Sequence, residues 1–271
     1  MITDDTKEVA TEESATKQEI ETLSAEDTAN LPTLEEMMKA GLAYGRKRSK
    51  LNPKMKPYLY AMRANMAVFD LPKTLQALND AIVAIKAVIT KGGKVLMVGT
   101  QPAAKAAVLK FALATKHLTV TERWLGGTLT NFKTILKRIE HFKKLKEDRD
   151  AGRLQKYTKK ERLDMDKELE RGDRLFGGIS EMTTLPGIVI VIDAVVHDTA
   201  IREARRVKLP IVALMTSDAN PDPVTYPIPG NSNAIPAITW IVDRIITAVK
   251  ETPIAVPTPA VAVKPAPAKI L

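Results

Sequence analysis

The sequence predicts an α/β protein, a doubly wound parallel sheet flanked by helices, with a helical hairpin inserted into it. Three observations carry this. Short apolar runs such as KVLMVG (94–99), IVIVID (188–193) and IVALMT (211–216) alternate with helical periodicities over short links, the order that produces parallel pairing. Aromatic residues make up only 4% of the 271, so the core must rest on Val, Ile, Leu, Ala and Met, a mix that suits buried parallel strands. The stretch from Asn131 to Arg174 breaks the alternation with two charged helical patterns.

Residues 1–30 hold nine acids against two lysines and almost no large apolar group, so they are expected to form a disordered acidic tail. Thr33-Leu34-Glu35-Glu36 is a capping box that opens a short helix, closed by Gly41. Asn52-Pro53 and Lys56-Pro57 break any helix in the next stretch, and Met66–Leu71 reads as a strand. Leu75, Leu78, Ile82, Ile85 and Ile89 mark a helix over Thr74–Ile89, ended by Gly92-Gly93. A strand at Lys94–Gly99, a helix over Pro102–Thr115 and a strand near Leu118–Glu122 follow. Beyond the insertion come a strand at Ile188–Asp193, a helix over Thr199–Val207, a strand at Ile211–Thr216 and a helix over Asn233–Lys250.

In the insertion, Phe132, Ile135, Leu136, Ile139, Phe142 and Leu145 form one apolar stripe, and Lys133, Lys137, Arg138, Lys143, Lys144 and Lys146 fill the other positions. Thr158-Lys159-Lys160-Glu161 is a second capping box, opening a charged helix with the weaker apolar spacing Leu163, Leu169. The expected division is therefore a sheet domain over 31–127 and 178–250, a hairpin over 128–177, and a stiff, flexibly attached Pro/Ala-rich tail over 251–271.

The absence of cysteine removes disulfides, thiolate metal sites and cysteine nucleophiles. The first residues lack the basic and apolar regions of a signal peptide, and no apolar run reaches membrane-spanning length, so the expected setting is the cytoplasm. Net charge is +9, but with the acidic start set aside the body from Leu31 to Lys250 carries about +15. A body that basic faces a polyanion.

The densest basic segment is Gly41–Phe69, where Arg46, Lys47, Arg48, Lys50, Lys54, Lys56 and Arg63 meet no acid, and Tyr44, Tyr58 and Tyr60 are interleaved. A merely solvated loop would mix signs, so this pattern points to phosphate binding. WLGGTLTNFK (124–133) supplies tandem glycines and a helix start, where Thr130 or Asn131 can cap the basic helix and backbone amides can meet an anion. Arg123, Asn131, Lys133 and Lys137 complete the candidate RNA-binding set. Trp124 and the glycines are read as packing elements.

Two other readings compete. A nucleotide or sugar-phosphate enzyme would work at the strand ends near Gly99, Asp193 and Asp218, yet Gly92, Gly93 and Gly99 form no phosphate-binding motif. Asp193, Asp218 and Asp222 are better read as turn and cap residues. A peripheral membrane protein would use the basic helix at Lys133–Lys146. His117, His141 and His197 form no ligand-spaced pair and are read as surface or helix-end residues, so no metal or cofactor is expected.

LNPKMKPYLY (51–60), MAVFDLPKT (66–74), RWLGGTLTNFKTI (123–135), GGISEMTTLPGIVIVID (177–193), AIREARRVKLPIVAL (200–214) and YPIPGN (226–231) resemble, in order, the bacterial form of the second protein of the small ribosomal subunit. That resemblance implies a flavodoxin-like sheet with an inserted coiled-coil hairpin, and no enzymatic activity. It further implies assembly with small-subunit rRNA and neighbouring ribosomal proteins, including the large mRNA-binding one, with no membrane association and no homo-oligomer. The family usually has histidines where GLAYGR (41–46) has Ala43 and Arg46. After Asp193 it usually has a basic loop, where this chain has Ala194-Val195-Val196-His197-Asp198, so no RNA-binding residue is assigned there.

Overall fold

A computed structural model of the chain describes residues 33–252; the acidic and Pro/Ala-rich tails expected at either end lie almost wholly outside the described residues. A short helix, α1, runs over 33–39 and ends where Gly41 (φ 77°) turns the chain left-handed, its N–H donating to the Met38 carbonyl. Three short strands follow: β1 (Tyr44–Lys47), β2 (Leu59–Arg63) and β3 (Met66–Phe69), paired antiparallel in the order β1-β3-β2. β2 and β3 are joined by Ala64-Asn65, both at positive φ, the two-residue turn whose twist matches a hairpin.

The main sheet contains β4 (Val95–Val98), β5 (Leu118–Val120), β6 (Ile188–Ile192), β7 (Ile211–Met215) and β8 (Tyr226–Pro229), all parallel, in the order β5-β4-β6-β7-β8. Counted within this sheet the order is 2-1-3-4-5, the flavodoxin-like arrangement, with its reversal between β4 and β6. Helices α2 (Leu71–Thr90), α3 (Pro102–Thr115) and α7 (Ile235–Lys250) cover one face, with Val95, Met97, Ile190, Ile192, Val212 and Leu214 beneath them. Alternate strand residues Leu96, Val98, Val189, Val191, Ala213 and Met215 face the opposite layer, where α6 (Asp198–Arg206) and the base of the hairpin pack.

Several expectations shift. α2 starts at Leu71 rather than Thr74, because Pro72 is tolerated in a first helical turn and recruits the end of the expected strand. The sequence reading missed β1, β2 and β8. β8 contains Pro227 and Pro229, which argue against a strand, but it lies at the sheet edge, where a missing donor is tolerated. Gly99 serves packing: a Cβ there would stand 2.8 Å from Val108 of α3.

The insertion is a hairpin of α4 (Phe132–Asp150) and α5 (Lys159–Phe176) between β5 and β6. The Thr158 capping box forms as read, with the Glu161 carboxylate accepting from the Thr158 N–H at 2.9 Å. Gly172 lets α5 press against the Phe142 ring, and Phe142 and Phe176 lie 6.3 Å apart. Leu169, Gly172 and Phe176 face inward, while Leu163 is 54% exposed, so the expected Leu163/Leu169 stripe is displaced. The inward positions span less than two heptads, short of the roughly three that mark a coiled coil.

Candidate nucleic-acid interface

The antiparallel sheet stands over the carboxyl ends of β7 and β8. Arg46 N–H donates to Ser217 Oγ at 2.8 Å, Asn52 N–H to the Ser217 carbonyl at 2.8 Å, and Asn231 Nδ2 to the Gly41 carbonyl at 3.1 Å. Gly45 is required here, since a Cβ would fall 2.9 Å from Ser217 Oγ. Met55 is fully buried and Phe69 nearly so, which roots the segment in the core. The cations are therefore carried on a braced scaffold.

At its tip, Lys47 and Arg63 flank Met66 in register on adjacent strands, and the Arg48 N–H donates to the Asn65 carbonyl at 3.0 Å. Lys47, Arg48, Lys50, Lys56 and Arg63 are exposed, and among the described residues none has an acidic partner within ion-pair distance. Tyr44 and Tyr60 are exposed beside them. Two other predicted residues have internal partners. Arg46 turns toward Asp218 (Nε to Oδ2 3.6 Å) and donates from Nη2 to Asn233 Oδ1 at 3.3 Å, leaving its buried Nε without a hydrogen bond. Lys54 pairs with Asp222.

The glycine-rich loop is used internally. Glu203, on the inner face of α6, is buried, and its carboxylate accepts from Trp124 Nε1 (3.0 Å) and from the backbone N–H of Gly127 (2.8 Å), Leu129 (3.1 Å) and Thr130 (3.3 Å), with Thr130 Oγ1 also at 3.3 Å. Burial pushes this carboxyl up, but the hydrogen bonds from Trp124, Gly127, Leu129 and Thr130 outweigh it and hold the group below the usual glutamate value. The amides expected to meet an RNA phosphate thus already hold an anion. Glu203 was missed in the sequence. Its signal was an acid beside the apolar positions Ala200, Ile201 and Ala204 of one helix, where a charge must find donors.

Asn131 precedes α4 but makes no side-chain cap; its Oδ1 accepts from Thr134 Oγ1 at 2.8 Å. Arg123, Asn131, Lys133 and Lys137 are exposed. Lys137 lines a cleft of about 820 Å³ between α4 and α5. Arg123 follows β5, so its strand end and the strand ends anchoring the tip share one edge of the main sheet, roughly 15–20 Å apart at the usual strand spacing. The eleven predicted residues form two groups rather than one patch.

Residues 37–252 match the family described as Ribosomal protein S2. Proteins named small ribosomal subunit protein uS2 from Brucella ovis, Brucella suis and Brucella anthropi are each 39% identical over 216 residues, covering 80% of this chain and 84–85% of the relatives. The chain belongs to the ribosomal protein S2 family. This family is structural and non-enzymatic.

In this S2-family chain the crevice at the sheet's reversal point, where flavodoxin-like folds take ligands, is bridged by side chains. Asp193 is fully buried at φ 72°. It accepts from Gln101 Nε2 (2.7 Å), Ser232 Oγ (2.9 Å) and Val195 N–H (2.9 Å). Asp218 accepts from Thr216 Oγ1, so both aspartates act as turn residues, as the sequence suggested. His197 precedes α6, as expected of a helix-end residue, but it is 2% exposed rather than on the surface. Its Nε2 accepts from the Thr100 N–H at 3.1 Å, which makes Nδ1 the protonated nitrogen facing the Asp193 carbonyl at 2.9 Å.

Burial lowers the His197 pKa from 6.5, partly offset by Asp193. The unfolded chain therefore takes up a proton first as pH falls. The stability contributed by neutral His197 is present above pH 6.5 and is lost as pH drops below it, by at most about 1.4 kcal/mol per pH unit. His117, lowered by burial and by Lys94, acts in the same direction. Urea midpoints at pH 7.5 and 5.5 should fall less for His197→Gln than for the wild type; equal falls would assign the acid sensitivity elsewhere.

Among the described residues no helix is long and apolar enough to cross a membrane.

Proposed function

We propose that this chain holds small-subunit rRNA through Lys47, Arg48, Lys50, Lys56 and Arg63 on the antiparallel tip, with Arg123, Lys133 and Lys137 meeting a second stretch of phosphate backbone. Membership of the S2 family makes it a structural constituent of the small ribosomal subunit, acting in translation. The observation that carries the RNA-contact reading is the acid-free set of exposed cations on a scaffold fixed to the main sheet. Fixed cations meet phosphates without first losing backbone freedom.

In this reading Arg46 and Lys54 brace the tip through Asp218 and Asp222, and Asn131 shapes the start of α4. The chain divides into the sheet domain (31–127 and 178–250), which carries the tip, and the hairpin (128–177), which extends the contact surface. It works as a single copy in a cytoplasmic subunit, beside neighbouring ribosomal proteins that include the large mRNA-binding one.

Replacing Lys47, Arg48 and Lys50 together with Glu should reduce affinity for small-subunit rRNA about 100-fold near 0.1 M salt and lower the log–log salt slope by roughly 2. Filter binding across a salt series measures both. An unchanged slope would remove the tip from the interface. Arg46→Gln should instead lower the unfolding midpoint and leave the slope nearly intact.

A further inference from the structure

The acid-free tip has a counterpart within the same chain. Residues 1–30 hold nine acids against two lysines, from Asp4 to Asp27. We propose that this acidic N-terminal segment docks on Lys47, Arg48, Lys50, Lys56 and Arg63 in the free protein and is displaced by RNA. The consequence for RNA rests on the tip being the rRNA-binding surface; the docking itself does not.

Charge complementarity and reach carry the argument. Thr33 opens α1, and the path to Lys47 is one short helix plus eight residues that extend at most about 3.4 Å each, which keeps the two within roughly 35 Å. A coil of 20 residues spans roughly 25 Å, so the acids can arrive at the tip, at millimolar effective concentration. The hairpin is the rival surface, but its cations are interleaved with acids. Lys146 pairs with Asp173 at 3.1 Å, Arg153 with Asp148 at 2.7 Å, and His141 with Glu168 at 3.4 Å. No acid interrupts 41–69. Exposed pairs are individually weak and screened by salt, so such a cover would deflect stray polyanions yet yield to the denser charge of rRNA.

Carbodiimide joins carboxylates to lysines in direct contact, so crosslinking of the full RNA-free chain followed by peptide mass spectrometry tests the docking. Carboxylates of residues 4–27 should couple mainly to Lys47, Lys50 and Lys56 at about 20 mM salt and lose that preference at about 0.5 M. Crosslinks spread evenly over the exposed lysines, or none, would overturn it. A full-length variant with all nine acids replaced by Asn or Gln should bind poly(U) about ten-fold more tightly at low salt. That gain should vanish when Lys47, Arg48, Lys50, Lys56 and Arg63 are also changed to Gln. A gain that survives would reflect net charge alone and overturn the docking. If crosslinks concentrate on the tip while these five changes leave poly(U) binding untouched, the docking stands and the RNA reading of the tip fails.

Discussion

Glu203→Ala is expected to destabilise the protein by about 3–5 kcal/mol. Five donors converge on that carboxylate, three of them backbone N–H groups of a loop that has no other acceptor for them in the structure. Leaving buried donors unpaired costs roughly 1–3 kcal/mol each, reduced where the opened loop admits water. Glu203→Gln keeps the volume but turns an amide NH2 toward donors, and should cost about half as much. Urea unfolding followed by tryptophan fluorescence reports this well, because Trp124 Nε1 is one of the donors. A loss under about 1 kcal/mol for the alanine variant would mean that the loop finds other acceptors. The consequence for function is indirect: Glu203 sets the path from β5 into α4 and so where Arg123, Lys133 and Lys137 stand.

Asp193→Ala should cost a similar 3–5 kcal/mol, for two separable reasons. Alanine at φ 72° adopts a left-handed backbone, a strain of about 1–2 kcal/mol. It also strands Gln101, the fully buried Ser232 and the Val195 N–H. Asp193→Gly relieves the first and keeps the second, so chemical denaturation should find it about 1 kcal/mol more stable than the alanine variant. Equal stabilities would place the whole effect in the hydrogen bonds. Because this network bridges β4, β6 and the start of α7, its loss should loosen the carboxyl edge on which the tip is mounted.

The parallel strands were legible because each is a continuous apolar run buried on both faces: Ile188–Ile192 and Ile211–Met215 are buried at every position. β1 and β2 were not, since a short antiparallel strand with one wet face carries little pattern, and their prolines and cations read as loop. The basic segment itself was legible. What it lacked was a distinction between Arg46 or Lys54, turned to Asp218 and Asp222, and their free neighbours. Those acids lie about 170 residues away, and local charge counting cannot see them.

The segment from Trp124 to Lys133 shows the same division. Its composition by itself determined that a loop with tandem glycines leads into a basic amphipathic helix, because glycine permits the turn and the apolar stripe specifies the helix. Only the tertiary structure decided what its amides bind. The docking of α6 on the sheet brings a buried carboxylate from position 203 into the concave side of the loop, and a buried anion takes the nearest donors rather than stay unpaired.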